Sequence, residues 1–291
     1  MKTQKFGIEI ELTGITREIT GDIIAEYFGT KNHSVESTFE TEDRKGRIWK
    51  IVHDSSIYSQ KNAREILVEA EERYKVEVVS PILSYDDIKD LQEIVRQLRQ
   101  KGALVNKSCG IHIHVNTTPH TPTTLKNLVN IMASKEEILY KSLRIAPERL
   151  RYCKRVNEKL MEAINKKKPK TLQELADIWY SDNPYDNRTS SNNYSRYRGL
   201  NLHSTYTKGT VEFRIFNSTL DEGEIKAYIQ FCLAVSHQAL SQRSASAKRT
   251  VTNNEKYTFR CWMLRLGLNG DEFKTCRHHF LKNLSGDSAW R

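Results

Sequence analysis

Glu9 and Glu11, Glu77, His112 and His114, and Glu212 with Arg214 are the residues from which this chain could build chemistry. Each lies in a short stretch that reads as a β-strand: residues 6–12, 76–81, 110–115 and 211–216. In a strand, residues two apart share a face. Glu9 and Glu11 therefore project together, as do His112 and His114, and as do Glu212 and Arg214, while the apolar residues between them point the other way. A sheet of such strands has one face for a core and one face carrying carboxylates, imidazoles and an arginine. Carboxylates crowded at low effective dielectric repel one another by several kcal/mol unless a cation or a proton intervenes, so a metal-binding sheet is expected.

Each signal also has a plainer reading. Glu9-x-Glu11 suits Mg²⁺, a hard cation that takes oxygen ligands and shares its shell with phosphate, or it simply faces solvent. Glu77, set among valines, is costly to bury unless paired, either with a metal or with an arginine across the sheet. His112-x-His114 has ligand-type spacing on a strand, found in zinc hydrolases and in ordinary sheets alike. Glu212-x-Arg214 is an inert pair, or one metal ligand beside one phosphate-neutralising group. Arg198, in the run 196–202 at the mouth of a strand, could hold a carboxylate or phosphate in its planar fork. Four such signals of one kind are better explained by one site than by four coincidences.

The positioning elements follow from periodicity and punctuation. A helix is predicted over 17–28 with Gly29 as its stop, and a strand over 47–52 ending in a turn that carries Asp54. Residues 64–73 read as an exposed hairpin or short helix, and 74–79 as a strand closed by Ser80-Pro81. Residues 85–101 read as an amphipathic helix with Ile88, Leu91, Ile94, Val95 and Leu98 on one side and Gly102 past its end. After the histidine strand, helices are expected in 121–143, 147–167 and 172–179, the last two separated by a lysine run. Residues 183–197 are polar and read as a mobile loop of the kind that covers active sites. Strands at 199–203 and 210–216 and a helix from 221 to about 242, with acidic Glu222 and Glu224 in its first turn, complete the core. The order is α+β: a mostly antiparallel sheet with helices on its apolar face and the functional groups on the other. Residues 244–250 are the linker candidate, dividing a catalytic domain, 1–243, from a basic, largely helical tail, 244–291.

The composition sets outer limits. With 291 residues, 38 % hydrophobic and 28 % charged, the chain has material for one large domain or two small ones and is not disordered as a whole. The apolar runs are too short to span a bilayer, the N-terminus lacks an apolar signal region, and the five cysteines show no C-x-x-C spacing. A cytoplasmic protein with unbridged thiols is the expectation. The net charge is +10, and residues 243–291 hold ten Lys/Arg against four Asp/Glu. That balance suits a solvated surface, an acidic substrate or phosphate. A nucleic-acid module is disfavoured, because a carboxylate-lined face repels phosphate and the basic residues are not interleaved with aromatics.

With its motifs in this order, the chain resembles the amidoligase family, relatives of glutamine synthetase and of glutamate-cysteine ligase among the carboxylate–amine ligases. The matching pieces are Phe6-Gly7-Ile8-Glu9-Ile10-Glu11, His53-Asp54-Ser55-Ser56, Val76-Glu77-Val78-Val79-Ser80-Pro81, Cys109-Gly110-Ile111-His112-Ile113-His114-Val115, Tyr197-Arg198-Gly199-Leu200-Asn201-Leu202 and Thr210-Val211-Glu212-Phe213-Arg214. The family's pattern has Gly where Ser55 stands here. The resemblance implies a glutamine-synthetase-like catalytic domain with a curved sheet whose open face binds ATP with two or three Mg²⁺ ions. By position, Glu9, Glu11, Glu77, His112 and Glu212 would be metal ligands. Arg198, Arg214 and Asp54 would serve the reaction, the arginines facing phosphate or the substrate carboxylate, and His114, Arg214 and Asn201 would lie beside the nucleotide. The implied reaction joins a carboxylate, of a small molecule, a glutamyl group, a peptide or a protein, to an amine through an acyl phosphate, and the loop 183–197 would shut out water. A metal hydrolase using His112 and His114 is the rival enzyme, distinguished by activity without nucleotide.

Overall fold

A computed structural model of the chain describes residues 1–184 and 186–289. The chain opens with β1 (Phe6–Leu12), in which Phe6, Ile8, Ile10 and Leu12 alternate into the core, and turns into α1 (Arg17–Phe28). Thr16 caps that helix by accepting from the Ile19 N–H, and Gly29 ends it at φ 71°, a left-handed conformation that costs glycine little. There follow β2 (Asn32–Val35), β3 (Thr38–Glu42), β4 (Ile48–Val52), a hairpin of β5 (Gln60–Ala63) and β6 (Ile66–Glu69), β7 (Val76–Val79) and α2 (Ile88–Gln100). The histidine strand β8 (Gly110–Asn116) leads to α3 (Pro122–Leu143), α4 (Glu158–Lys167) and α5 (Leu172–Trp179). After β9 (Leu200–Asn201), α6 (His203–Thr207) and β10 (Thr210–Asn217) come α7 (Glu222–Ser241), α8 (Glu255–Arg265) and α9 (Lys274–Leu281). No helix among the described residues is long and apolar enough to cross a membrane.

Eight strands form one sheet in the order β2-β3-β4-β7-β1-β8-β10-β9, and the pairings β2–β3, β3–β4, β4–β7, β7–β1 and β9–β10 are antiparallel. The sheet does not close into a barrel, and helices lie on one side of it, so the fold is α+β as expected. The chain divides into two compact units, one of residues 2–113 and 216–226, the other of residues 1, 114–215 and 227–291.

In the first unit α1 packs on β2, β3, β4 and α2. The predicted stripe of α2, from Ile88 to Leu98, is buried, and each such side chain contributes roughly 1.5–3 kcal/mol on leaving water. Of residues 64–73, Arg64 and Glu65 form the two-residue turn of the β5–β6 hairpin, at positive φ as the twist of a tight hairpin requires, Ile66–Glu69 is its second strand, and Glu72 and Arg73 enter a short 3₁₀ helix, Glu72–Tyr74. In the second unit α3 packs on α4 and α9, and α8 on α9. Phe231 of α7 meets Phe280 of α9 at 4.6 Å and Trp262 of α8 at 5.5 Å. The segment expected as a linker has no regular structure and is pinned to α3, with Asn130 donating to the Ala245 carbonyl and the Thr250 N–H to that of Ser134, both at 2.9 Å. The C-terminal helices thus share a core with residues 114–215.

Two expected elements are shorter than predicted. The helix expected over 147–167 begins at Glu158, because Asn157 caps it, accepting from the Leu160 N–H, and the preceding backbone is held by side chains: Glu136 accepts from the Val156 N–H and Tyr140 donates to the Cys153 carbonyl. The strand expected over 199–203 is limited to Leu200–Asn201, since the Asn201 side chain accepts from the His203 N–H and turns the chain into α6.

Candidate active site

The first unit gathers carboxylates by register. β1 and β7 pair with Glu11 opposite Glu77, while Ile10 opposite Val78 and Leu12 opposite Val76 are buried on the other face. Glu9 lies two residues from Glu11 and shares its face. β4 pairs with β7 through Val52 and Glu77, so the turn after β4 brings Asp54 to the same place, where its side chain accepts from the Ser56 N–H at 2.7 Å. On β8, His112 stands between two acids: Nδ1 is 3.1 Å from Glu9 and Nε2 is 3.5 Å from Glu11. The Gly110 N–H donates to Glu11 at 2.6 Å, fixing that carboxylate.

Two overlapping triads result, Glu9/Glu77/His112 and Glu11/Asp54/Glu77, each with one ligand atom per residue lying within 4.8 Å of the others. Glu11 and His112 are buried, and Glu9, Asp54 and Glu77 are half-buried. At 4.8 Å and an effective dielectric of 20, two carboxylates repel by about 3.5 kcal/mol. Four carboxylates and one imidazole make a hard, oxygen-rich donor set of the kind that takes Mg²⁺, so the residues fit the metal that the resemblance implies. Asp54, expected to act in the reaction, stands here among the potential ligands.

The second unit brings Glu212, Arg214, Asn201 and His114 together. Asn201 donates to Glu212 at 2.7 Å across the β9–β10 pair, and Arg214 pairs with the other Glu212 oxygen. His114 Nε2 is 4.0 Å from Glu212, and its Nδ1 meets Thr210 Oγ1 at 2.9 Å and Ser204 Oγ at 3.3 Å. Neither Thr210 nor Ser204 was expected beside His114. Thr210 carried a signal, standing two residues before Glu212 on the same strand face, whereas Ser204 reaches the group only through α6.

Behind this group, burial pushes the Tyr180 hydroxyl up to about 12, so it stays protonated and donates to His203 Nδ1 at 2.6 Å. Burial also pushes the His203 imidazole down, and its Nε2–H donates to the Ser190 carbonyl at 2.9 Å, which fixes a neutral tautomer. Arg198 is engaged elsewhere in this unit: it donates to Asp182 at 2.7 Å, stacks 4.5 Å from the Trp179 ring, and faces a cleft. The segment 183–197 is tied down at several points, with Asn193 buried, the Tyr194 N–H donating to Asp186 and Trp179 donating to Ser195. Tyr185 lies outside the described residues.

No curated protein matches the chain. A family model described as "Putative amidoligase enzyme" matches residues 2–236, a span that holds every residue of both groups and ends inside α7. A match over most of the chain, with the motif carboxylates brought together by strand register, places it: the protein belongs to the amidoligase family.

Proposed function

We propose that this chain is an ATP- and Mg²⁺-dependent carboxylate–amine ligase that works through an acyl phosphate. The observation that carries the reading is the carboxylate-rich pair of triads sharing Glu77. Glu9, Glu11, Glu77, His112 and Glu212, joined by Asp54, would hold two or three Mg²⁺ ions. When bound, such ions neutralise the phosphate oxygens of the nucleotide.

The residues of the chain account for the remaining needs of the reaction. A substrate carboxylate oxygen attacks the γ-phosphorus, the bond to the β-phosphate oxygen breaks, and ADP leaves. An amine then attacks the acyl carbon, its lone pair forms the amide, phosphate departs and the nitrogen gives up a proton. Arg214 supplies positive charge for the phosphoryl group while Glu212 fixes its guanidinium. Thr210 and Ser204 orient His114 through Nδ1, which aims Nε2 toward Glu212 and, on this reading, the nucleotide. The net charge of +10 favours an acidic peptide or a glutamyl group as the carboxylate substrate.

The zinc-hydrolase reading has less support. His112 and His114 have different partners, and among the described residues no candidate metal cluster contains both. The test is nucleotide turnover. Glu9→Gln and Glu212→Gln should each abolish Mg²⁺-dependent ADP release while circular dichroism shows an intact fold; wild-type rates in both variants refute the metal assignment.

A further inference from the structure

The β5–β6 hairpin ends in an open edge. The two strands make a sheet of their own, so β6 has a strand on one side only. The far side of β5 is already used: Gln60 accepts from the Gly14 N–H at 2.9 Å, its own N–H donates to Thr13 Oγ1 at 2.8 Å, and Asn106 donates to its side chain. These bonds anchor the hairpin just past β1 and leave β6 as the outer strand. Every residue of β6 is exposed, with Ile66 at 67 %, Leu67 at 56 % and Val68 at 36 %. Three consecutive apolar residues exposed on an edge strand are a template for another strand. The ladder fixes which backbone groups are on offer. The Ala70 N–H donates to the Ser59 carbonyl at 3.1 Å, and bonded pairs alternate along an antiparallel ladder, so Val68 and Ile66 bond to β5 while the N–H and C=O of Leu67 and Glu69 face away from it. Those outward groups have no hydrogen-bond partner among the described residues.

Charge narrows the partner. The unit that holds the hairpin has 18 Lys/Arg against 22 Asp/Glu, in a chain whose net charge is +10. Beside the strand, Lys61 takes Glu71, and His53 and Lys75 take Glu72. Glu65 and Glu69, one at each end of the apolar run, have no ion-pair partner among the described residues, and Arg64 follows β5 on the other side of the turn. A second copy fits this edge poorly. The register that sets Leu67 on Leu67 and Ile66 on Val68 brings Glu65 of each copy opposite Glu69 of the other, and like charges opposite one another destabilise a sheet. Lysine or arginine in those two places makes both contacts favourable, while apolar residues between them cover Ile66, Leu67 and Val68.

We propose that the β6 edge docks an extended segment of a partner protein, three apolar residues flanked on each side by lysine or arginine, added as an antiparallel third strand of this sheet. Binding here needs neither nucleotide nor metal, so it stands or falls apart from the ligase reading. The probe is the capped peptide Thr-Lys-Val-Leu-Val-Lys-Thr, titrated into the full chain by calorimetry without nucleotide or Mg²⁺. It should bind one-to-one. A peptide with glutamate in place of both lysines should bind at least about tenfold more weakly, and so should one N-methylated at its central leucine, whose N–H bonds β6 in this register. Methylating a neighbouring valine, whose N–H points away, should change affinity by less than about threefold. Leu67→Pro removes an outward N–H that β5 does not use, and it should weaken the lysine peptide at least about tenfold while circular dichroism stays unchanged. Glu69→Lys should weaken the lysine peptide and strengthen the glutamate one. If either variant does not fold, the peptide comparisons on the unaltered chain still decide. Equal affinity for the lysine and glutamate peptides, undiminished binding of the peptide methylated at leucine, or no saturable binding overturns the proposal. So does a dimer in sedimentation that Leu67→Pro dissolves, since a second copy would then be the occupant.

Discussion

Replacing Glu77 by glutamine removes one carboxylate charge from both triads at nearly constant volume, and it should abolish stabilisation of the protein by Mg²⁺. Each carboxylate pair within 4.8 Å repels by about 3.5 kcal/mol at an effective dielectric of 20, and by about 0.9 kcal/mol in bulk water. A divalent cation among them turns these terms attractive. At a concentration one hundred times its dissociation constant, an ion that binds only the folded state adds about 2.7 kcal/mol. Unfolding entropy of about 2.1 cal/mol/K per residue gives about 0.6 kcal/mol/K for 291 residues, so Tm should rise by about 4 °C if the chain melts as a whole, and by more if the acidic unit melts alone. The assay is thermal denaturation followed by circular dichroism with and without Mg²⁺ at matched ionic strength. The variant should move by less than about 1 °C at the concentration that saturates the parent. A full shift in Glu77→Gln, or none in the parent at tens of millimolar Mg²⁺, refutes the reasoning.

Three other substitutions test how the site is supported. Burial pushes the Glu136 carboxyl up to about 7, against the opposing effects of the Val156 N–H, Arg155 and Arg249. Between its unfolded value near 4.5 and about 7 the folded state holds a proton that the unfolded state has lost, so stability falls as pH rises through that window. Glu136→Gln should remove that slope, gaining up to about 3 kcal/mol at pH 8 relative to pH 4 in urea denaturation; an unchanged slope contradicts it. For Asp87, burial would raise the carboxyl, but bonds from Arg47, Lys45 and Ser84 outweigh it and hold the group far below the usual range. Its contribution is present above the unfolded value of 3.8 and lost as pH falls through the lower folded value. Asp87→Asn should therefore cost about 2–3 kcal/mol at pH 7 and make unfolding less acid-sensitive; a neutral substitution sinks the prediction. At Gly199 a Cβ would lie 2.4 Å from the Tyr140 hydroxyl and 2.5 Å from Ile215, so Gly199→Ala should lower stability by about 1–3 kcal/mol, and an unshifted denaturation midpoint would show that Tyr140 yields without cost.

The face carrying the chemistry was legible because a strand's period is two: Ile8, Ile10 and Leu12 had to be core if Glu9 and Glu11 were not. The same period sets Arg214 beside Glu212. What local pattern could not supply was register. Glu11 faces Glu77 only because β1 and β7 pair in one of several possible alignments, and Asp54 joins them only because β4 pairs with β7. Side-chain capture of backbone was equally hidden: Asn157 and Glu136 shorten a helix that apolar spacing extends back to 147. The direction of Arg198 depends on Asp182 and Trp179, brought to it by the tertiary fold rather than by its own motif. In the C-terminal segment, charge hid Phe259, Trp262 and Phe280, which pack in the core of the second unit.

The most direct measurement is ADP release from Mg²⁺-ATP in the presence of hydroxylamine, over carboxylates ranging from free glutamate to acidic peptides, with hydroxamate scored as the trap for acyl phosphate. A carboxylate-activating ligase should give ADP and hydroxamate in equal amounts for at least one acid, and neither without Mg²⁺. ADP without hydroxamate for any acid, or neither product from a folded sample that also fails to bind Mg²⁺-ATP by calorimetry, would contradict it.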